Sequence, residues 1–140
     1  EIQIVKEYGR LPWVECYPSQ LNQVFINLMD NAIDALNQQI EAGEWTRLDE
    51  RPHIKIRTQA NNDQVMIAIS DNGPGIPEEN KARLFDPFFT TKPIGKGTGL
   101  GLSICHQIVT ERHGGYLTVS SSPGHGTEFQ VAIPLRQSDY

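Results

Sequence analysis

A basic excess is missing from this sequence: 12 Lys and Arg face 17 Asp and Glu, for a formal net charge of −5. Nucleic-acid surfaces gain affinity by neutralising phosphates, so this balance argues against nucleic acid as a partner. No apolar run approaches the length of a membrane span, and no signal peptide opens the chain. Cysteine is scarce. Cys16 and Cys105 lie far apart, match no metal spacing and suggest no disulfide framework; they read as reduced core thiols. His53, His106, His113 and His125 show no ligand pattern. Internal repeats are absent. The chain opens on Glu1 without an initiator Met and is read as an excised fragment. What remains is 140 residues, 38% hydrophobic and 21% charged, the size and composition of one domain with a single core.

Residues 2–5 and 13–16 read as short strands around the turn Gly9-Arg10-Leu11-Pro12. A long helix is expected from Pro18–Ser19 to about residue 40: Pro suits a first helical turn and Gly43 suits the exit. Leu21, Val24, Phe25, Leu28, Ala32, Ala35 and Leu36 recur at helical spacing as its apolar face. Residues 43–52 form a polar loop. Residues 54–58 and 65–69 alternate at period two around Asn61-Asn62-Asp63, as a hairpin does. A short helix over 77–84, a loop over 85–99, a second long helix over 100–112 and strands over 116–120 and 127–133 complete the chain. This order implies an α/β fold, a two-layer sandwich with one mixed sheet and its helices on one face.

Four stretches carry candidate chemistry. Asn27, Asn31 and Asp34, spaced i, i+4, i+7, form one helical stripe that Gln20 and Gln38 extend, roughly opposite the apolar face. Amides are poor helix formers, so the stripe is either a solvated face or an oxygen donor set for Mg²⁺. Asp71-Asn72-Gly73-Pro74-Gly75-Ile76 follows a buried-looking strand; its glycines would let a flat ligand near the backbone, and Asp71 would accept from an exocyclic amine. Gly95-Lys96-Gly97-Thr98-Gly99-Leu100-Gly101-Leu102-Ser103 runs into a helix, where unpaired N–H groups and the positive dipole end favour phosphate. It is neither a Walker loop nor a Gly-x-Gly-x-x-Gly fingerprint. Phe85-Asp86-Pro87-Phe88-Phe89-Thr90-Thr91-Lys92 is an aromatic loop able to pin a lid, with Lys92 and Lys96 available to phosphates. Each stretch also has a plain structural reading, as turn, linker or core anchor. An acidic chain still binds a nucleotide where backbone N–H groups and Mg²⁺ carry the charge.

In their order and separation, the four stretches resemble the catalytic, ATP-binding domain of sensor histidine kinases, in the wider group with gyrase, Hsp90-type chaperones and MutL-type ATPases. The likeness covers nearly the whole chain. Asn27-Leu28-Met29-Asp30-Asn31-Ala32 matches the N box, Asp71 to Gly75 the first glycine box, Phe85 to Phe89 the F box, and Gly97 to Gly101 the second glycine box; Gly124-His125-Gly126-Thr127-Glu128-Phe129 resembles the last glycine motif. The resemblance implies the family's two-layer fold, with about five mostly antiparallel strands and three main helices. It implies Asn31 as the Mg²⁺ ligand with Asn27 in support, and Asp71 at the adenine amine with Thr127 nearby through water. Gly73, Gly75, Ile76 and Phe88 would line the pocket. Gly97, Thr98, Gly99, Leu100, Gly101 and Leu102 would wrap the phosphates. Asp34 and Thr90 stand where many members carry a cation, which leaves Lys92 as the substitute phosphate clamp. The resemblance further implies transfer of the γ-phosphoryl group of ATP to a histidine on a separate dimerisation domain, with a response regulator downstream. A cytoplasmic, monomeric fragment of a homodimeric parent, membrane-anchored or not, fits it. Rival readings are an ATPase switch, for which a Glu would stand in place of Asn27, a protein-serine kinase, and a partner-binding pseudo-kinase.

Overall fold

The computed structural model describes residues 2–45, 50–89 and 101–137. Thr90, Lys92, Lys96, Gly97, Thr98, Gly99 and Leu100 therefore lie outside the described residues. Among the described residues five strands form one sheet: β1 (Gln3–Tyr8), β2 (His53–Ala60), β3 (Gln64–Asp71), β4 (Tyr116–Ser121) and β5 (Thr127–Pro134), in the order β1-β2-β3-β5-β4. Only the β1–β2 pair is parallel, so the sheet is mixed and mostly antiparallel, as expected. Its helices are α1 (Pro18–Glu41), α2 (Glu78–Lys81) and α3 (Gly101–Gln107), the last continued by a wide π-helical stretch, Ile108–Arg112.

The alternation of the strands decides which face is covered. Ile54 of β2, Val65 and Ile69 of β3, Leu117 of β4 and Phe129, Val131 and Ile133 of β5 are buried in one cluster with Leu21, Val24, Leu28, Ala32 and Leu36 of α1. Each of the Val, Leu, Ile and Phe side chains contributes roughly 1.5–3 kcal/mol of transfer free energy. The opposite face is polar, with ion pairs of Lys55 to Glu7 at 3.4 Å and Arg57 to Glu128 at 2.9 Å.

Helix α1 begins as expected at Pro18, and it ends where Gly43 turns at φ +71. Three expectations are corrected. Residues 13–16 form no strand: Trp13 is 99% exposed, and the segment is tied instead by Glu15 N–H to Leu135 O at 2.8 Å and Gln137 N–H to the Glu15 carboxylate at 3.0 Å. Pro12 and Pro18, which cannot donate to a ladder, bracket it. The short helix narrows from 77–84 to Glu78–Lys81. The helix over 100–112 does not stay α: after Gln107 it widens, and His113 helps explain why. Its Nδ1–H donates to Ile108 O at 2.9 Å, and its Nε2 accepts the N–H of Tyr17, the residue preceding α1, at 3.0 Å. A carbonyl can only accept and an amide N–H can only donate, so both ring nitrogens are assigned.

Candidate functional site

Asp71 is the last residue of β3 and lies in register with Ile54 on one side and Thr127 on the other. Gly73 N–H donates to Asp71 Oδ1 at 2.9 Å, whereas Oδ2 takes no hydrogen bond from a described residue. Burial pushes the carboxyl up from its ordinary 3.8 to about 6, against the smaller opposing pulls of the Gly73 N–H and the His53 charge. A half-buried carboxylate with one oxygen unused is a hydrogen-bond acceptor in search of a donor. Neighbouring Asn72 is spent on structure: Oδ1 accepts His53 N–H at 2.8 Å and Nδ2 donates to Arg51 O at 2.9 Å, fixing the turn to the start of β2.

Two loops interlock beside Asp71. Gly124 N–H donates to Pro74 O at 2.7 Å. Gly75, at φ +79, passes so close to the Ser122 carbonyl that an added Cβ would lie 2.1 Å from its oxygen; a Cβ added at Gly126, at φ +81, would lie the same 2.1 Å from Asp71 O. The expectation was that glycine here admits a ligand. In the fold, Gly75 and Gly126 admit neighbouring backbone, which holds Asp71 in place. Ile76 is half-buried, and its N–H donates to Ser121 Oγ at 2.8 Å. Lys81 of α2 reaches across to Ser121 O at 2.7 Å and pairs with Glu78 at 2.7 Å. Buried Thr127 meets Ser121 Oγ at 2.9 Å. Sequence reasoning passed over Ser121 and Lys81. The signal for Ser121 was there, since period two from Leu117 and Val119 turns its hydroxyl inward at the strand end.

The amide stripe on α1 is not a solvated face opposite the core. Asn27, Asn31 and Asp34 are half-buried along its flank, Gln20 is half-buried, and only Gln38 is exposed. Asn27 Nδ2 donates to Gly101 O at 3.4 Å and Cys105 Sγ at 3.5 Å, tying α1 to the first turn of α3. Because Gly101 O can only accept, Nδ2 must face α3, and Asn27 Oδ1 is left for another partner. Asn31 makes no side-chain hydrogen bond to another described residue, while Asp34 has a partner. Among the described residues no cluster of three His, Cys, Asp or Glu could hold a metal ion. The donors present, neutral amide oxygens, suit a hard ion that arrives with oxygen ligands of its own.

The structure therefore groups Asp71, Gly73, Gly75, Ile76 and Thr127 at one end of β3 and β5, and Asn27 with Gly101 at the α1–α3 contact. An added Cβ on Gly73 would sit 3.4 Å from Leu36 of α1, so the turn abuts the helix that carries the amides. Leu102 is half-buried beside Gly101. Of the aromatic loop, Phe85 stacks on His106 of α3 with centroids 5.1 Å apart, and Arg83 lies 4.8 Å over Phe89. Phe88 stands apart, 74% exposed and at φ 68, a left-handed conformation that costs a non-glycine residue about 1–2 kcal/mol.

Residues 16–137 match the family described as histidine kinase-, DNA gyrase B- and HSP90-like ATPase. The chain belongs to this family. Within the histidine kinase-, gyrase- and HSP90-like ATPases its relatives are sensor kinases. Sporulation kinase E of Bacillus subtilis (strain 168) is 37% identical over 129 residues, which span 91% of this chain and 15% of that protein. The solved catalytic domain of histidine kinase ThkA is 36% identical with a TM-score of 0.76, covering 96% of this chain and 80% of that one. The same kinase, solved in complex with response regulator protein TrrA, matches at 34% identity and a TM-score of 0.70, covering 96% of this chain and 34% of that one. The chain thus spans about a seventh of the length of sporulation kinase E.

Proposed function

We propose that this domain binds Mg²⁺-ATP and passes the γ-phosphoryl group to a histidine on a separate dimerisation domain, as part of two-component signalling. The observation that carries the reading is Asp71: a half-buried carboxylate, one oxygen fixed by Gly73 and the other open, at the end of the sheet of a histidine kinase-like ATPase. The open oxygen is suited to the 6-amino group of adenine. Gly73, Gly75 and Ile76 wall the base, and Thr127 stands beside it. Asn31, with Asn27 Oδ1, faces the phosphate region. The helix start at Gly101 and Leu102, with Gly97, Thr98, Gly99 and Leu100 before it, offers backbone N–H groups to the phosphates. Lys92 and Lys96 supply cations, and Phe88 closes over the site.

Mg²⁺ bound with the nucleotide neutralises charge on the phosphates. The protein's own part is positioning: the base is held at Asp71, the amides on α1 orient the phosphate end, and the γ-phosphoryl group is left facing an in-line acceptor. The acceptor belongs to another domain. His113 is 1% exposed with both ring nitrogens bonded, and His106 is stacked on Phe85. The fragment alone is expected to remain unlabelled by radioactive ATP. An ATPase switch is disfavoured because Asn27, an amide committed to Gly101, cannot act as a general base for water. The partners proposed are the dimerisation domain of a homodimeric parent and a downstream response regulator, with the monomeric domain on the cytoplasmic side.

The test is calorimetric titration with a non-hydrolysable ATP analogue, with and without Mg²⁺, on the wild-type domain and on Asp71→Asn. Mg²⁺-dependent binding that collapses in the variant is expected. Binding of equal strength in both proteins would overturn the assignment of Asp71.

A further inference from the structure

The hydroxyls beside Asp71 admit one consistent assignment of protons. Ser121 Oγ has three neighbours: Ile76 N–H at 2.8 Å, Gly126 O at 2.9 Å and Thr127 Oγ1 at 2.9 Å. The Ile76 amide can only donate, and the Gly126 carbonyl can only accept. Ser121 has a single proton, and it goes to Gly126 O; its second lone pair is then left for Thr127, which must be the donor. The chain of bonds runs Thr127 O–H to Ser121 O–H to Gly126 C=O, each link polarising the next. Thr127 has therefore committed its only proton to Ser121 and has only lone pairs left for any other partner. Asp71, its register partner across β3 and β5, also presents an acceptor, Oδ2.

We propose that Ser121 is a positioning residue for base selection. By holding the Thr127 proton, it leaves Thr127 Oγ1 and Asp71 Oδ2 both as acceptors beside the purine 6-position, so the pair takes 6-amino purines and rejects 6-oxo purines. An exocyclic amine has two N–H donors to match; a 6-oxo group would set its lone pairs against those of Thr127 and Asp71. Without the Ser121 hydroxyl, the Thr127 O–H rotates and can donate to a 6-oxo group. This inference rests on the nucleotide reading above and adds to it the residue that sets where the Thr127 proton goes.

The test compares Mg²⁺ complexes of non-hydrolysable ATP and ITP analogues by calorimetry on wild type, Ser121→Ala and Ser121→Thr. Wild type should prefer the 6-amino ligand. In Ser121→Ala that preference should fall about tenfold, the worth of roughly one hydrogen bond, and Ser121→Thr should restore it. A structural loosening would weaken both ligands alike, so an unchanged ratio in Ser121→Ala overturns the proposal while leaving the nucleotide site intact. Failure of wild type to bind either ligand overturns the nucleotide reading itself. Should Ser121→Ala not fold, Thr127→Val asks the same question: it should weaken the 6-amino ligand and spare the 6-oxo one, and an equal loss for both overturns the inference.

Discussion

Replacing Asp71 by Asn should make the nucleotide-free protein more stable at neutral pH. The carboxyl is raised from 3.8 to about 6, chiefly by burial, so the folded state holds an ionised group it does not solvate well. In the folded protein the proton is held more tightly than in the unfolded chain. Between about pH 4 and 6 the native state thus binds more protons, and stability falls as pH rises through that window and levels off above it. At 1.36 kcal/mol for each pH unit, the interval from 3.8 to about 6 amounts to roughly 3 kcal/mol as an upper bound, and partial solvation brings the expected gain to about 1–3 kcal/mol. Asn keeps an oxygen for the Gly73 N–H and carries no charge. For a chain of 140 residues the gain should raise Tm by several degrees. The assay is thermal and urea unfolding of both proteins from pH 3.5 to 8 without nucleotide. The advantage of Asp71→Asn should be full above about pH 6, shrink on acidification through that window, and vanish only below about pH 4, where Asp71 becomes protonated in both states. A variant no more stable than wild type at pH 7.5, or an advantage that does not shrink on acidification, refutes the reasoning. A site residue that costs stability in the empty protein would also mark the position as kept for ligand binding.

Gly126→Ala should lower stability by more than the 1–2 kcal/mol of a left-handed non-glycine residue, because its Cβ would meet the Asp71 carbonyl, and nucleotide affinity should fall with it; unfolding and calorimetry on one sample read both. His113→Ala should cost about 2–4 kcal/mol in urea unfolding, since it opens a buried cavity and leaves Tyr17 N–H and Ile108 O without their partner. It should also reduce hydrogen-exchange protection at the start of α1.

Much of the architecture is carried by local pattern. The apolar repeat of α1, Pro18 at its start and Gly43 at its end hold with the structure, because 3.6-residue periodicity and terminal chemistry are short-range properties. The hairpin of β2 and β3 and the final two strands likewise follow from alternation. Asp71 and Thr127 were legible as candidates by motif, yet only strand pairing sets them side by side, across a separation in sequence that no local pattern spans. The same holds for the role of Asn27, whose amide is oriented by a carbonyl on α3, and for the π-helical widening after Gln107, which goes with His113 bridging to Tyr17. Residues 13–16 have the composition of a strand but, among the described residues, find only one ladder-like bond, to Leu135. Sequence by itself determined which faces are apolar, where the turns fall and which residue types are available. Tertiary structure decided which hydrogen-bond donors and acceptors remain unspent. That choice depends on partners far apart in the chain, whose distances and directions exist only after the sheet has formed.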